Sequence, residues 1–269
     1  MVSRLDNRTV VVVGAGAVGS GWSNGRACAV TYAERGATVL CVDHVLARAE
    51  ETAQLIFDAG GKAVALRADA TVEADLAKVV ETALAGTGRL DVMHNNVGVG
   101  GTVGTPDQVC LEDYHREVAQ NLTTAYLGIR VAAPVMRERG GGVILNTSSL
   151  LAVRFLSRPT VGYGAAKAAV EALTRSCAAA YGRDNIRVNC LRIGFSETPL
   201  ALGFLGTRNL DDEERERALD TTRNKVPLRS EHGSPFDVAR AAAFLASDDA
   251  RHLSGVILNI DGASECAPI

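Results

Sequence analysis

No two of the six cysteines (Cys28, Cys41, Cys110, Cys177, Cys190, Cys266) stand in a C-x-x-C pair. Their wide spread argues against a disulfide framework or a zinc site, and for buried, reduced thiols in a cytosolic protein. Excess charge is missing too. The 28 Lys and Arg against 31 Asp and Glu leave a formal charge of −3, with no electrostatic pull toward nucleic acid or an anionic membrane. No apolar run approaches the length of a membrane span. The valines at 10–13 are too few, and too soon followed by glycine, for a secretion signal, so the cytoplasm is the expected compartment. Without such a signal, the N-x-S/T triplets at Asn7, Asn121 and Asn146 carry no glycosylation meaning. The five histidines (His44, His94, His115, His232, His252) are scattered, and no His/Cys/Asp cluster calls for a metal. Linkers, repeats and low-complexity segments are absent.

What is present is an ordinary globular composition, 47% hydrophobic and 22% charged, in 28.2 kDa. That is enough for one large domain over 1–269 with a substantial core. Short β-branched runs alternate with longer alanine-rich segments, the pattern of a doubly wound α/β fold with helices on both faces of a parallel sheet. About seven strands are predicted, at 9–14, 37–43, 62–67, 90–95, 142–147, 186–191 and 255–260. Helices are predicted at 45–60, 72–86, 110–138, 163–183 and 235–247. The one long connection without a strand, 198–227, is a candidate lid over a substrate. Its charged run at 211–217 reads as a solvated face.

Gly14, Gly16 and Gly19 form a literal G-x-G-x-x-G after the first strand, the fingerprint of a Rossmann-like fold. Glycines there let the backbone approach a pyrophosphate, which then sits at a helix N-terminus. Two more glycines follow, Gly21 and Gly25, and each costs about 1 kcal/mol inside a helix. The helix is therefore predicted to start near Asn24, with Asn24 as its cap and Gly25 in the first turn. Trp22, the only tryptophan, falls in the insertion this creates. It either covers a dinucleotide or plugs a gap against a neighbouring helix. Asp43 ends the next strand 18 residues beyond Gly25, close to the roughly 20 expected for an acid that binds ribose hydroxyls. Its charge would repel a 2′-phosphate, so NAD is expected over NADP. His44 and Arg26 are the opposing cations within reach.

Tyr163 and Lys167 are four apart, on one face of a predicted helix. A free tyrosine, with a pKa of about 10, is a poor base at neutral pH, and a neighbouring ammonium favours its phenolate. A serine hydroxyl from the end of the preceding strand, Ser148 or Ser149, can hold an alcohol or carbonyl oxygen beside them.

At this point the chain resembles the short-chain dehydrogenase/reductase family, nearly end to end. Asn95-Asn96-Val97-Gly98 is similar to that family's N-N-A-G, and Asp69, with Ala70 after it, to the segment beside the adenine. Asn121 matches the tetrad asparagine, Asn146-Thr147-Ser148-Ser149 the serine motif, and Tyr163 with Lys167 completes the set. Gly194 and Thr198 resemble the loop that holds the nicotinamide amide, and 233–239 the G-x-P-x-D-V-A helix start. Three departures stand out. The glycine loop is five residues longer than the family's between Gly14 and Gly25, with Val13 for threonine. Ser149 precedes Tyr163 by 14 residues, one more than usual, which suggests a one-residue bulge with Ser148 as the alternative serine. Ile193-Gly194-Phe195 replaces the proline and aliphatic residue of the family's loop.

The resemblance implies hydride transfer between a nicotinamide cofactor and a secondary alcohol or ketone. Tyr163 exchanges the hydroxyl proton, Ser149 holds the substrate oxygen, Lys167 contacts the ribose and Asn121 holds a water. Gly14, Gly16, Gly19, Asn24, Gly25, Asp43, Asp69, Ala70, Asn96, Val97, Gly98, Tyr163, Lys167, Gly194 and Thr198 are the expected cofactor contacts. Expected pocket walls are Val99, Gly100, 150–156, Phe195 and 200–205, mostly apolar. A small alicyclic, aromatic or aliphatic substrate therefore fits better than a phosphorylated one. Arg154 and Arg158 are expected to be solvated. Two other readings stay open: a 3-oxoacyl reductase, and a non-catalytic nucleotide-binding regulator. A homodimer or homotetramer built on the helices of Asn121 and Tyr163 is the implied assembly.

Overall fold

The computed structural model describes residues 3–267 except 20, 157, 205–210 and 230. Ser20 of the glycine loop and Leu205 of the expected pocket wall thus lie outside the described residues. The chain alternates as read: β1 (Thr9–Val13), α1 (Asn24–Glu34), β2 (Thr38–Asp43), α2 (Leu46–Asp58), β3 (Lys62–Arg67), α3 (Glu73–Thr87) and β4 (Val92–Asn95). Then come α4 (Leu111–Val118), α5 (Thr124–Glu138), β5 (Gly142–Ser149), α6 (Val161–Tyr181) and β6 (Ile186–Ile193). The last elements are α7 (Pro199–Phe204), α8 (Asp212–Arg223), α9 (Pro235–Ala246) and β7 (Ile257–Ile260). All seven strands are parallel, in the order β3-β2-β1-β4-β5-β6-β7.

The four valines of β1 are buried because that strand lies inside the sheet, between β2 and β4, with helices on both faces. Val10 and Val12 face one core, against α1 and α9, while Val11 and Val13 face the other, against α3 and α5. Fully burying such a side chain stabilises by about 1.5–3 kcal/mol, so the centre of the sheet is the firmest platform available. The strand order reverses between β1 and β4, the switch point at which ligands bind beyond the carboxyl ends of the strands.

The predicted helix 110–138 is one continuous run, but a π-helical turn over Ala119–Thr123 divides α4 from α5. Asn121 lies inside that turn. Wide turns of this kind are frequent at functional sites because they re-aim side chains and loosen the backbone ladder. The connection 198–227 holds α7 and α8, and α8 starts with a capping box between Asp211 and Glu214.

Candidate active site

The expected contacts of the phosphate turn meet at the end of β1. Asn96 donates from Nδ2 to Gly14 O at 3.0 Å, and Gly16 N donates to Asp43 Oδ2 at 3.1 Å. A Cβ on Gly25 would collide with Gly14 O, so α1 can cross the turn only with glycine there. The helix starts at Asn24 as expected, but its cap is Ser23, not Asn24. Ser23 Oγ accepts from Arg26 N at 3.0 Å and donates to Gly16 O at 2.7 Å. Serine and asparagine cap about equally well, so only the fold could separate these neighbours. Asn24 instead sits at the first helical position, its Oδ1 accepting from Ser196 Oγ at 3.4 Å. Gly19 has positive φ and open space around it.

The insertion leans on the far end of the molecule. Trp22 packs on Phe236 of α9, ring centroids 4.7 Å apart, and Gly21 lies against Pro199 of α7. Of the two roles weighed for the tryptophan, this packing is that of a plug against a neighbouring helix.

Asp43 is buried and doubly anchored, Oδ1 accepting from Val45 N at 3.0 Å. His44 reaches the same oxygen at 3.2 Å. Arg26 turns away into α2, holding Glu51 at 2.6 Å, Thr52 and Gly21 O, so its charge is already engaged. Beside Asp43 lies a cleft of about 390 Å³ lined by His44, Arg67, Asp69 and Asp75. Hydrogen bonds from Thr71 hold the Asp69 carboxyl below the usual range, and Ala70 is buried behind it. At the other end, Gly194 N donates to Ile260 O, and buried Thr198 caps α7 through Ala201 N at 3.2 Å.

The reacting set assembles where β4, β5 and α6 converge. The Ser149 hydroxyl faces Tyr163, near enough to favour its phenolate, whereas Ser148 points the other way, to Glu171 Oε1 at 2.9 Å and Lys167 O at 3.1 Å. Alternation along the strand separates the two serines. The expected bulge is not in β5, which pairs with β6 without interruption from Gly142 to Ser149. The extra residue is instead taken up after the strand, where a 3₁₀ turn runs over Leu150–Ala152.

Lys167 is buried, and its Nζ donates to Thr147 O at 3.1 Å and Val97 O at 3.3 Å. It stands 5.7 Å from the centre of the Tyr163 ring. Burial pulls its pKa down to about 8. The phenol of Tyr163 is pushed up by its own burial, opposed by the neighbouring Ser149 hydroxyl. Burial outweighs the lowering expected from Lys167, whose ammonium donates to two backbone carbonyls and not to the phenol. Asn121 is likewise committed: Oδ1 accepts from Val99 N at 3.0 Å, and Nδ2 donates to Val99 O and Glu117 O, both at 3.1 Å. Its side chain therefore shapes the loop after β4, and Gly98 packs between it and Lys167.

One expectation outside the set changes. Arg154 is not merely solvated, since it donates to the backbone carbonyls of Ser264 and Glu265. His94 is wholly buried between Tyr32, at 3.0 Å, and Thr147, and burial pushes its pKa down to about 3. Sequence reasoning passed over Glu117. Its signal was its spacing: four residues before Asn121, on the same face of α4.

A glycine turn backed by an acid, and a tyrosine beside a buried lysine at the mouth of a parallel sheet, describe a nucleotide-binding oxidoreductase. Known proteins narrow the class. A family model described as enoyl-(acyl carrier protein) reductase matches residues 18–263. A cyclohexanol dehydrogenase of Acinetobacter sp. (strain SE19) is 30% identical over 263 residues, 98% of this chain and 97% of that one. The crystal structure of levodione reductase superposes with a TM-score of 0.91 at 30% identity, covering 98% of this chain and all of that one, and the Leifsonia aquatica protein of that name is also 30% identical. A 7α-hydroxysteroid dehydrogenase complexed with NADH and 7-oxo glycochenodeoxycholic acid gives a TM-score of 0.85 at 31% identity, covering 96% of this chain and 94% of that one. The chain belongs to the short-chain dehydrogenase/reductase family. It is an oxidoreductase that moves a hydride between a nicotinamide cofactor and a secondary alcohol or ketone.

Proposed function

We propose that the enzyme interconverts an apolar, cyclic secondary alcohol and its ketone, using NAD in preference to NADP. The observation that carries the reading is Tyr163 standing beside the Ser149 hydroxyl, with the Nζ of buried Lys167 5.7 Å from its ring centre. Gly14, Gly16, Gly19, Asn24, Gly25, Asp43, Asp69, Ala70, 96–98, Gly194 and Thr198 fit a dinucleotide. They leave open backbone at Gly19, a cleft beside Asp43 and Asp69, and carbonyl-anchored Lys167 at the inner end. When bound, the nicotinamide accepts or returns the hydride of the carbinol carbon. Tyr163 takes the hydroxyl proton in oxidation and returns it in reduction. Ser149 donates to the substrate oxygen, where negative charge develops. Lys167 favours the phenolate when Tyr163 gives up its proton, and Asn121 holds the loop 98–104 against it.

Apolar selectivity rests on the rim of the site. Val99, Val153, Phe155, Leu156 and Leu200, all within the expected pocket walls, are more than 40% exposed, and apolar side chains left in water favour an apolar ligand. The alcohols and ketones that name the cyclohexanol, levodione and hydroxysteroid relatives are cyclic as well. The NAD preference rests on Asp43, an anion at the strand end with Arg26 held away from it. A homodimer or homotetramer in the cytoplasm completes the proposal, and sedimentation would decide the assembly.

The test is formation of the reduced cofactor, NADH or NADPH, with cyclohexanol, a hydroxysteroid, glucose and a 3-hydroxyacyl thioester, each with NAD and NADP. The cyclic alcohols with NAD should give the highest kcat/KM. Preference for the thioester would favour the 3-oxoacyl reductase reading, and preference for NADP would refute the role of Asp43. Tight NADH binding without turnover of any alcohol or ketone would favour the regulator.

A further inference from the structure

Glu117 is 3% exposed, yet its carboxyl is only half used. Oε1 accepts from Thr102 N, and Oε2 is buried without a hydrogen-bond partner among the described residues. A buried oxygen in that state costs on the order of 1–3 kcal/mol, so its surroundings need an explanation. Oε2 faces the first turn of α6: a Cβ on Gly162 would collide with it. That turn lacks what helix starts usually have. Thr160 at the cap makes no side-chain hydrogen bond, and no acidic residue stands in the first turn of this 21-residue helix. The first amides of a helix carry partial positive charge and favour a carboxylate beside them. Here a carboxylate comes from another helix.

The same carboxyl reaches a second element. Thr102 lies in the loop 98–104, which docks on the start of α6 through Gly104 N to Pro159 O at 2.9 Å. A Cβ on Gly101 of this loop would stand 2.6 Å from Tyr163 Cβ. Asn121, one turn after Glu117, clamps Val99 in the same loop. Loop, α4 and the start of α6 therefore converge around Tyr163, the third residue of α6.

We propose that Glu117 is a positioning residue for Tyr163. From α4 it supplies the start of α6 with the carboxylate which that turn does not carry, and so holds the phenol and the loop 98–104 in one fixed relation. The proposal rests on the reading of Tyr163 as the proton-transferring residue. It asks Gly162 to lack a side chain for a stated reason, which is to leave room for Oε2.

The experiment measures kcat, KM for alcohol and NAD, thermal midpoint and amide hydrogen exchange in Glu117→Ala, Glu117→Gln and Gly162→Ala. Glu117→Ala should lower kcat about 10- to 100-fold, since misplacement by about 1 Å can cost ~10²-fold. KM for NAD should stay within about twofold, because no cofactor contact is touched. Glu117→Gln keeps one acceptor for Thr102 and should recover part of kcat. Gly162→Ala should reproduce the kcat loss, and adding it to Glu117→Ala should cost little more. Exchange should quicken together at 98–104 and at 160–164. A lowered midpoint with unchanged kcat in Glu117→Ala would overturn the proposal, leaving only packing. If alanine does not fold, the volume-preserving glutamine decides by the same readouts. If the wild type turns over no alcohol or ketone, the functional reading fails. Exchange then decides the clamp alone: faster exchange in both segments upholds it, and unchanged exchange refutes it.

Discussion

The floor of the site and the connection 198–227 solve the problem of polar groups in opposite ways. On the floor, Lys167, Asn121 and Asn96 are tied mostly to backbone carbonyls and amides of β5 and of the loops after β1 and β4. In the connection, polar groups meet one another at the surface. Arg223 of α8 spans Glu197 at 2.9 Å, Glu216 at 2.5 Å and Asp220 at 3.0 Å, and Arg217 pairs with Glu213. Backbone partners cannot swing away, whereas surface carboxylates can. The contrast puts the reacting set on rigid elements and leaves the described part of the connection held by surface ion pairs, each worth little.

The comparison breaks first at Tyr163. Tyr163→Phe keeps the ring and removes the oxygen, so turnover should fall on the order of 10²-fold or more with cofactor affinity little changed. Near-normal turnover by the folded variant would end the mechanism. The two serines sharpen it next. Ser149→Ala should lower kcat by at least about tenfold, the scale of a lost donor at developing charge, with little change in stability. Ser148→Ala should do the reverse, losing on the order of 1 kcal/mol because Glu171 forfeits a buried hydrogen bond. Equal kcat losses would erase the distinction drawn from strand alternation.

Lys167 carries a pH signature of burial. Its folded pKa is about 8 against an ordinary value near 10.5. Between these values the unfolded chain binds a proton that the folded chain does not, so this group makes stability rise with pH across that window. Below about 8 both states are protonated and the burial cost is present in full. Lys167→Met removes the slope, and the two hydrogen bonds it also loses add a pH-independent offset. Urea midpoints at pH 7 and pH 10 should therefore show the variant losing ground to the wild type by about 1–3 kcal/mol as pH rises. A constant difference would refute the shift.

Smaller effects belong to the periphery. Trp22→Phe should cost about 1 kcal/mol of stability, because the smaller ring fills less of the space against Phe236. NADH affinity should hold, and a loss of affinity at unchanged stability would make Trp22 a cover after all. Arg223→Ala should cost less than about 1 kcal/mol, the range of exposed ion pairs. A loss of several kcal/mol would show the connection to be as firmly held as the floor.

Much of this was legible before any coordinates. Alternation of β-branched and alanine-rich segments placed the seven strands within two residues at each end, because burial of a parallel sheet demands continuous apolar runs. The helix start at Asn24 followed from counting glycines. The spacing of Tyr163 and Lys167 put them on one face, since helical period is a local property. Resemblance added Asn121 and the order of the motifs.

What the chain alone left open was decided between elements distant in sequence. Ser148 and Ser149 are alike in composition and neighbourhood, and only the face of β5 that meets Tyr163 distinguishes them. Trp22 had two plausible homes until α9, more than 200 residues onward, supplied Phe236. Lys167 lies beside the Tyr163 ring as the spacing predicts, but which acceptors take its donors, the carbonyls of Val97 and Thr147, and how far burial shifts both groups were not in the spacing. Local pattern determines which residues share a strand, a turn or a helix face. Which buried donor meets which acceptor depends on packing across the sheet, and desolvation there has no counterpart in sequence spacing.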